Sequence, residues 1–493
     1  MPLPDWLRPL PDAEQMRASD ARAIEREGIP GPQLMERAGG HLARRVPAGG
    51  RVVIACGGGN NGGDGYVAAR LLRDTGREVD VRFTSDPDRL RGDALQAFEH
   101  LEGPAPQPWD DRALDGAAVV VDCLLGTGFG GGAPREDVAG AIRAINACSA
   151  RVVACDIASG VDASTGEVPG EAVCADATVT FHADMPGHWI APGKAHAGRL
   201  HVADIGLPAT EGDPRIGLLH PGVLAELPRR AAEGTKFSSG HVLVAGGSRG
   251  LTGAVTLAAM GAMRAGAGYV TACIPAELEP IMEIKLTEAM TLGLDDAPAD
   301  AVLEKAARGG ALVLGPGLGR ERDAVLFARD LAARAELPLV LDADGLNAHA
   351  GRLGDLRQRT RPTVLTPHGG ELARLLEADG DDVRARRLHH ARRAAEAAGA
   401  IVLLKGDDTL VCAPDGRVAV SPGGAPALAT AGTGDVLSGV LGAFLARGTD
   451  PFTAACAAVR VHLEAGRRAA ARLSVEGVIA GDVAQDVALV LRG

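Results

Sequence analysis

The chain has 493 residues, 46% of them hydrophobic and 23% charged, an ordinary globular composition that argues for two or three domains and against disorder or a coiled coil. Lys plus Arg minus Asp plus Glu is 51 − 63 = −12, and aromatics make up 3%. That balance argues against nucleic acid or an anionic membrane as a partner.

In chain order, the opening MPLPDWLRPLPDAEQ is too rich in proline and acid for a signal peptide. No apolar run reaches the ~18 residues of a membrane span, so a cytoplasmic protein is expected. Helices are expected at 18–27 and 32–45. Short apolar runs at 51–55, 78–83, 118–122, 151–155, 177–181 and 199–204 then alternate with helical stretches at 65–74, 89–100 and 135–147. That rhythm predicts a parallel sheet covered on both faces. Residues 208–236, with Pro208, Pro214, Pro221 and Pro228 and the polar EGTKFSSG, read as a linker. Strands resume at 241–245, 269–274, 311–314, 339–341, 363–365 and 401–404. A hairpin (409–412 and 417–420) and helices at 434–446 and 452–473 close the chain. The class is α/β, with two three-layer α/β/α domains expected at 1–225 and 226–493. Eight cysteines without CxxC spacing are expected to be buried thiols rather than a zinc site. The basic run 384–393 reads as a solvated helix face.

Glycine is the compositional outlier, 67 residues against about 7% on average, and it collects just after the apolar runs. In open α/β sheets ligands sit beyond the carboxyl ends of the strands. The first such loop, CGGGNNGGDGYVAARLL, contains Asn60, Asn61, Gly62, Gly63 and Asp64. A carboxylate there would repel a bare pyrophosphate but suits a ribose or a cation; Asp64 as a helix cap is the bland alternative. The second, VVVDCLLGTGFGGG, has Asp122 at the strand end and then Gly126, Thr127, Gly128, Phe129, Gly130, Gly131 and Gly132, an acid-free turn able to form an anion nest. The third, VVACDIASGVDASTG, brings Asp156 and Ser159. Asn61, Asp122 and Asp156 converge on one crevice, a light oxygen set better suited to K+ than to Mg2+ or Ca2+. An Asp crowded by other acids can do acid/base work.

With RASDARAIEREGIPGPQLMERAG, GGGNNGGDGYVAARLL, VVVDCLLGTG, ASGVDASTG and ADIGLP, residues 14–208 resemble the YjeF N-terminal, or NAD(P)H-hydrate epimerase, family. The resemblance implies a Rossmann-like domain in which residues 60–64, 126–132 and Asp156 hold the nucleotide hydrate. It implies that Asn61, Asp122 and Ser159 bind K+ and that Asp156 is the acid/base. Two positions depart from the family pattern: Ala158 stands for a proline, and Met185 for a lysine.

In the second half, ALATAGTGDVLSG puts Gly432, Thr433 and Gly434 before a helix with Asp435 in its first turn. A helix N-terminus attracts a transferring phosphoryl group, and Asp435 is placed either to take a proton from an attacking hydroxyl or merely to cap the helix. Lys405 and Gly406 end a strand and offer a cation and free backbone to a nucleotide. His368, after another strand, suits a substrate phosphate or hydroxyl. Asp342 and Asp344 are candidate cation or water ligands, or caps.

From 236 onward the ordered set GSRGLTGA, LGPGLG, DADGLN, TPHGGE, LLKG and GTGDVLSG resembles the ribokinase-like superfamily, and within it the NAD(P)H-hydrate dehydratase family. The resemblance implies that Ala254, Gly317, His368 and Asp435 touch the hydrate. Lys405, Gly406, Asp407, Asp408, Thr409 and Gly434 would touch ADP, with Mg2+ as companion. Here Ala425 and Ala431 replace a usual Asn and Gly. Together the halves imply epimerisation of NAD(P)H hydrate followed by ADP-driven dehydration of the S epimer, in a homo-oligomer. A vitamin or sugar kinase carrying a nucleotide-binding N-terminal module is the alternative, and a first half serving only as a sensor is another.

Overall fold

A computed structural model describes residues 2–208, 212–230, 233–295 and 298–492. It resolves into two compact units, Pro9–Ile216 and a second that joins Leu3–Arg8 to the chain from Gly217 onward.

The first unit is a sheet of seven parallel strands. Its order is Gln107–Pro108, Val79–Phe83, Arg51–Cys56, Ala117–Cys123, Arg151–Cys155, Ala177–Phe181 and Arg199–Ala203. The earliest of these strands, Arg51–Cys56, lies inside the sheet and the chain winds outward from it in both directions. The Rossmann-like expectation is met. The winding reverses between Arg51–Cys56 and Ala117–Cys123, where open α/β sheets bind ligands. Strands buried on both faces need unbroken apolar sequence, and Val52–Ala55 and Val119–Val121 are fully or nearly fully buried. The helix expected at 65–74 spans Asn60–Asp74 instead. Its glycine-rich start is helical because it packs too closely for side chains: a Cβ on Gly62 would collide with the Gly57 carbonyl. The N-terminal helices run Ala13–Glu25 and Gly31–Arg45.

The second unit is an α/β/α layer around an 11-stranded sheet. Strands from Ile401–Leu404 through His241–Ala245 to Met290–Leu294 are parallel, and the Leu410–Cys412/Val418–Val420 hairpin is antiparallel. The apolar Thr433–Ala446 helix lies so close to Thr252–Arg264 that a Cβ on Gly439 would strike the Ala258 carbonyl.

The units divide between Ile216 and Gly217, not after residue 225, because Ile216–Leu219 is a strand of the second sheet rather than linker. Residues 209–211 and 231–232 of the expected linker lie outside the described residues. Leu7–Pro9 is the neighbouring edge strand. His220 N donates to the Trp6 carbonyl at 3.2 Å, and the Trp6 ring stacks on Phe452, centroids 6.1 Å apart. Among the described residues no helix is long and apolar enough to cross a membrane.

Candidate active sites

A cavity of about 700 Å3 opens at the winding reversal of the first unit. Asn60, Asn61, Asp64, Gly126 to Gly130 and Asp156 line it; Gly62, Gly63, Gly131 and Gly132 are not on its wall. Asp156 sits at a strand end with φ +64, a left-handed conformation that Asp tolerates better than most residues but that costs energy. Its carboxylate accepts from Thr180 Oγ1 at 3.1 Å. Its backbone carbonyl accepts from His188 Nε2 at 3.0 Å, while His188 Nδ1 accepts from the Met185 N–H at 3.0 Å. Met185 is fully buried, and its backbone N–H orients the histidine that pins Asp156.

Burial pushes the Asp156 carboxyl up to about 6, against the hydrogen bond from Thr180, and the charge of Asp20 adds to the rise. Asp64 is driven well above the usual carboxylate range by burial and by Asp156 and Asp20. Asp64 is in the second turn of its helix, whose N-cap is Gly59, so the capping role does not apply. Asp20, on the Ala13–Glu25 helix and exposed to solvent, also lines the cavity. It stands inside RASDARAIE, where nothing in its helical pattern marks it apart from the solvated acids nearby.

Asp122 and Ser159 do not line the cavity but join its wall at Leu125, whose N–H donates to Ser159 Oγ at 2.8 Å. Ser159 N donates to Asp122 Oδ2 at 2.9 Å and Ser159 Oγ to Oδ1 at 2.6 Å. Asn61 Nδ2 donates to the Leu125 carbonyl at 2.9 Å, leaving Asn61 Oδ1 buried with no partner. Ala158 is buried without disturbing this turn.

In the second unit, Lys405 Nζ donates to Asp342 Oδ1 at 2.9 Å and lies 3.8 Å from Glu371 Oε2. Burial opposes the ammonium, but Asp342 and Glu371 outweigh it and raise its pKa. Ser438 Oγ, from the Thr433–Ala446 helix, donates to Asp342 Oδ2 at 2.6 Å. Asp342 is thus a clamp rather than a cap. Asp344 holds the glycine loop before it, accepting from Gly319 N at 3.0 Å. A Cβ on Gly434 would stand 3.5 Å from Lys405 Nζ, so the cation faces the helix N-terminus. Burial and the charge of Asp342 raise Asp435 to about 7, with Lys405 pulling the other way. That is the range a general base needs near neutrality.

Gly317, at φ +64, lies against Leu251 and Ala254; a Cβ there would stand 3.1 Å from the Ala254 Cβ. His368 caps the Gly369–Leu376 helix, its Nδ1 accepting from Gly370 N at 3.0 Å; burial and then the Lys405 charge lower its pKa.

A second cavity, about 300 Å3, has Lys405, Gly406, Asp407, Thr409 and Gly434 on its wall. Asp408 is not on that wall: its buried carboxylate is forked by Arg387, with Nε and Nη2 each at 2.9 Å. Gly406 N is occupied by Thr409 Oγ1 at 3.2 Å, not free. Ala425 lines the cavity as well.

A family model described as YjeF-related protein N-terminus matches residues 31–187. Another, NAD(P)H-hydrate dehydratase, matches 242–488. A curated relative, the bifunctional NAD(P)H-hydrate repair enzyme Nnr of Moorella thermoacetica, is 40% identical over 97% of this chain and 96% of its own. The protein of the same description from Escherichia coli is 33% identical over 96% and 92%. A Bacillus subtilis structure described as an ADP/ATP-dependent NAD(P)H-hydrate dehydratase co-crystallized with ATP/Mg2+ shares 31% identity, covering 55% of this chain and 95% of its own, with a TM-score of 0.49.

Proposed function

The chain belongs to the family of bifunctional NAD(P)H-hydrate repair enzymes, and on that premise we propose how its own residues divide the work. The first unit interconverts the R and S epimers of NAD(P)H hydrate. The second dehydrates the S epimer at the expense of ADP, releasing AMP and phosphate. The observation that carries the reading is Asp435, raised to about 7, beside Lys405 at the start of the Thr433–Ala446 helix.

In the second unit the ring hydroxyl loses its proton to Asp435 while its oxygen attacks the terminal phosphorus of ADP. The new O–P bond forms as the bond to AMP breaks. Lys405 and the N–H groups of Gly432 and Gly434 serve the migrating phosphoryl charge, fixed in place before reaction, while the Thr433 N–H is given to the Thr430 carbonyl. Phosphate then leaves with the C–O electron pair. The ring nitrogen's lone pair drives it out, and loss of a proton from the adjacent carbon restores the dihydronicotinamide. In the first unit Asp156 exchanges a proton with the hydroxyl or water at the hydrated carbon, Thr180 and His188 holding it in place.

K+ fits the first unit. The partnerless Asn61 Oδ1, the Leu125 carbonyl and the Asp122–Ser159 pair are oxygen donors of low total charge. Bound there, the ion supplies a fixed positive charge near the ligand's loops. Mg2+ is assigned as the nucleotide's companion only. Among the described residues no group of three or more His, Cys, Asp or Glu forms a cage, and Asp342 is committed to Lys405 and Ser438, so no step is given to that ion. A homo-oligomer in the cytoplasm completes the reading; exposed Ile281, Ile284 and Met290 near the Met290–Leu294 sheet edge support self-association.

The test mixes separately prepared R and S epimers with the protein and ADP or ATP, following each by chromatography. Both epimers are expected to disappear with ADP, yielding free phosphate and dihydronicotinamide absorbance. A stable phosphorylated product would favour a small-molecule kinase.

A further inference from the structure

We propose that Arg387 and Asp408 form one positioning unit for the nucleotide loop 405–409, so that Asp408 serves ADP through Arg387 rather than by contact. This rests on the nucleotide reading of the second cavity and adds to it a residue, Arg387, that fixes where the loop stands.

Arg387 opens the Arg387–Ala398 helix and belongs to the basic run 384–393 expected as a solvated face. Arg384, His389 and Arg393 are exposed as expected, but the Arg387 side chain is only 10% exposed and that of Asp408 3%. Neither lines the cavity of about 300 Å3, whereas Lys405, Gly406, Asp407 and Thr409 do. From off that wall the guanidinium makes three contacts at once. Nε donates to Asp408 Oδ2 and Nη2 reaches Oδ1, each at 2.9 Å, and Nη2 also donates to the Lys405 carbonyl at 3.3 Å. A Cβ on Gly406 would stand 2.5 Å from Nη2 and 2.9 Å from Asp408 Oδ1, so the fork packs against bare backbone that a side chain would displace.

Lys405 is thus held at both ends, its Nζ by Asp342 at 2.9 Å and its carbonyl by Arg387. A buried ion pair gains little net stability over an apolar pair of the same size, so stability does not account for these two charges. A two-pronged guanidinium–carboxylate contact fixes position and plane together. Through the Lys405 carbonyl and Gly406 it sets where the loop's cation and backbone meet a phosphate. Thr409 N donates back to the Gly406 carbonyl at 3.1 Å, and Asp407 Oδ1 accepts from Gly424 N at 2.8 Å. A shift at Gly406 therefore carries to Thr409 and Gly424, both on the cavity wall.

Steady-state dehydration of S hydrate by the full chain, with ADP varied, is the test. Arg387→Met is expected to raise KM for ADP ~10-fold, within what a misplaced group remote from the chemistry costs, while kcat stays within ~3-fold. The Kd for ADP by calorimetry should rise in step with KM. Arg387→Met combined with Asp408→Leu replaces the pair by apolar side chains. That chain should melt like the unaltered protein and still show the raised KM. Arg387→Lys keeps a charge beside Asp408 but loses the fork, and should raise KM less. An unchanged KM in a folded Arg387→Met chain overturns the proposal. So does a doubly altered chain whose KM returns to that of the unaltered protein, because the pair would then matter to folding alone. If neither Met-containing chain melts cooperatively, Arg387→Lys decides, and an unchanged KM there overturns the proposal. Absence of any ADP binding by the unaltered protein would remove the reading of the second unit, and this proposal with it.

Discussion

Lys405 Nζ and Asp342 Oδ1 are 2.9 Å apart in a buried pocket, so the cation assigned to a phosphate is held in place before a nucleotide arrives. The same carboxylate is the leading charge that lifts Asp435. Its removal has two separable effects. In Asp342→Asn the acid limb of the kcat/KM profile for dehydration, expected near pH 7, should move to lower pH because Asp435 ionises more easily. KM for ADP should rise as Lys405 loses its anchor. A pH–rate series with saturating S epimer checks both; an unmoved acid limb would break the link between the two aspartates.

Asp435→Asn should lower dehydration by about 10²–10⁴-fold and leave epimerisation intact, as read by conversion of the R epimer alone. It should also stabilise the second unit in a pH-dependent way. Asp435 binds its proton more tightly folded than unfolded, so its ionisation costs stability as pH rises from about 4 to about 7. The melting temperature of the Asn variant should exceed that of the unaltered chain more at pH 8 than at pH 4.

Asp156→Asn keeps a residue that accepts the left-handed backbone and removes the titrating carboxyl. Epimerisation should fall at least ~100-fold, while dehydration of pure S epimer proceeds unchanged. An Asn variant that still converts R hydrate would leave the first unit a binding module.

Potassium should stimulate epimerisation more than lithium at equal ionic strength. Asn61→Leu, which removes the partnerless oxygen, should abolish that difference. Equal rates in both salts for the unaltered protein would dismiss the ion.

Much of this was legible because strands buried on both faces must be continuous apolar runs. Val52–Ala55, His241–Ala245 and Ile401–Leu404 announce themselves that way, and chemistry sits where those runs stop. Asn60–Gly63 reads as loop because two adjacent glycines oppose a helix; only tertiary crowding against Gly57 favours one there. Met290–Leu294 is a half-exposed edge strand holding a glycine, and Leu7–Pro9 hides in a proline-rich string, so neither has an apolar signature. Asp342 looked like a helix cap because its clamp partners, Lys405 and Ser438, are 63 and 96 residues away.

Trp6→Ala should destabilise the second unit by about 3–5 kcal/mol, since it removes the ring stacked on Phe452, which Arg417 covers with its guanidinium 4.6 Å from the centroid. Denaturant unfolding of the full chain, read through the loss of ADP-dependent activity, measures it.

The Leu3–Arg8 segment makes the first unit an insertion: the chain leaves the second unit at Pro9 and re-enters it at Gly217. Made in chain order, the Leu7–Pro9 edge strand stays unpaired until Ile216–Leu219, its one neighbour in the sheet, follows some two hundred residues later. Cutting the gene once between the two activities would strand six residues on the wrong piece, and the shortened dehydratase fragment would carry a raw sheet border prone to sticking to its own kind.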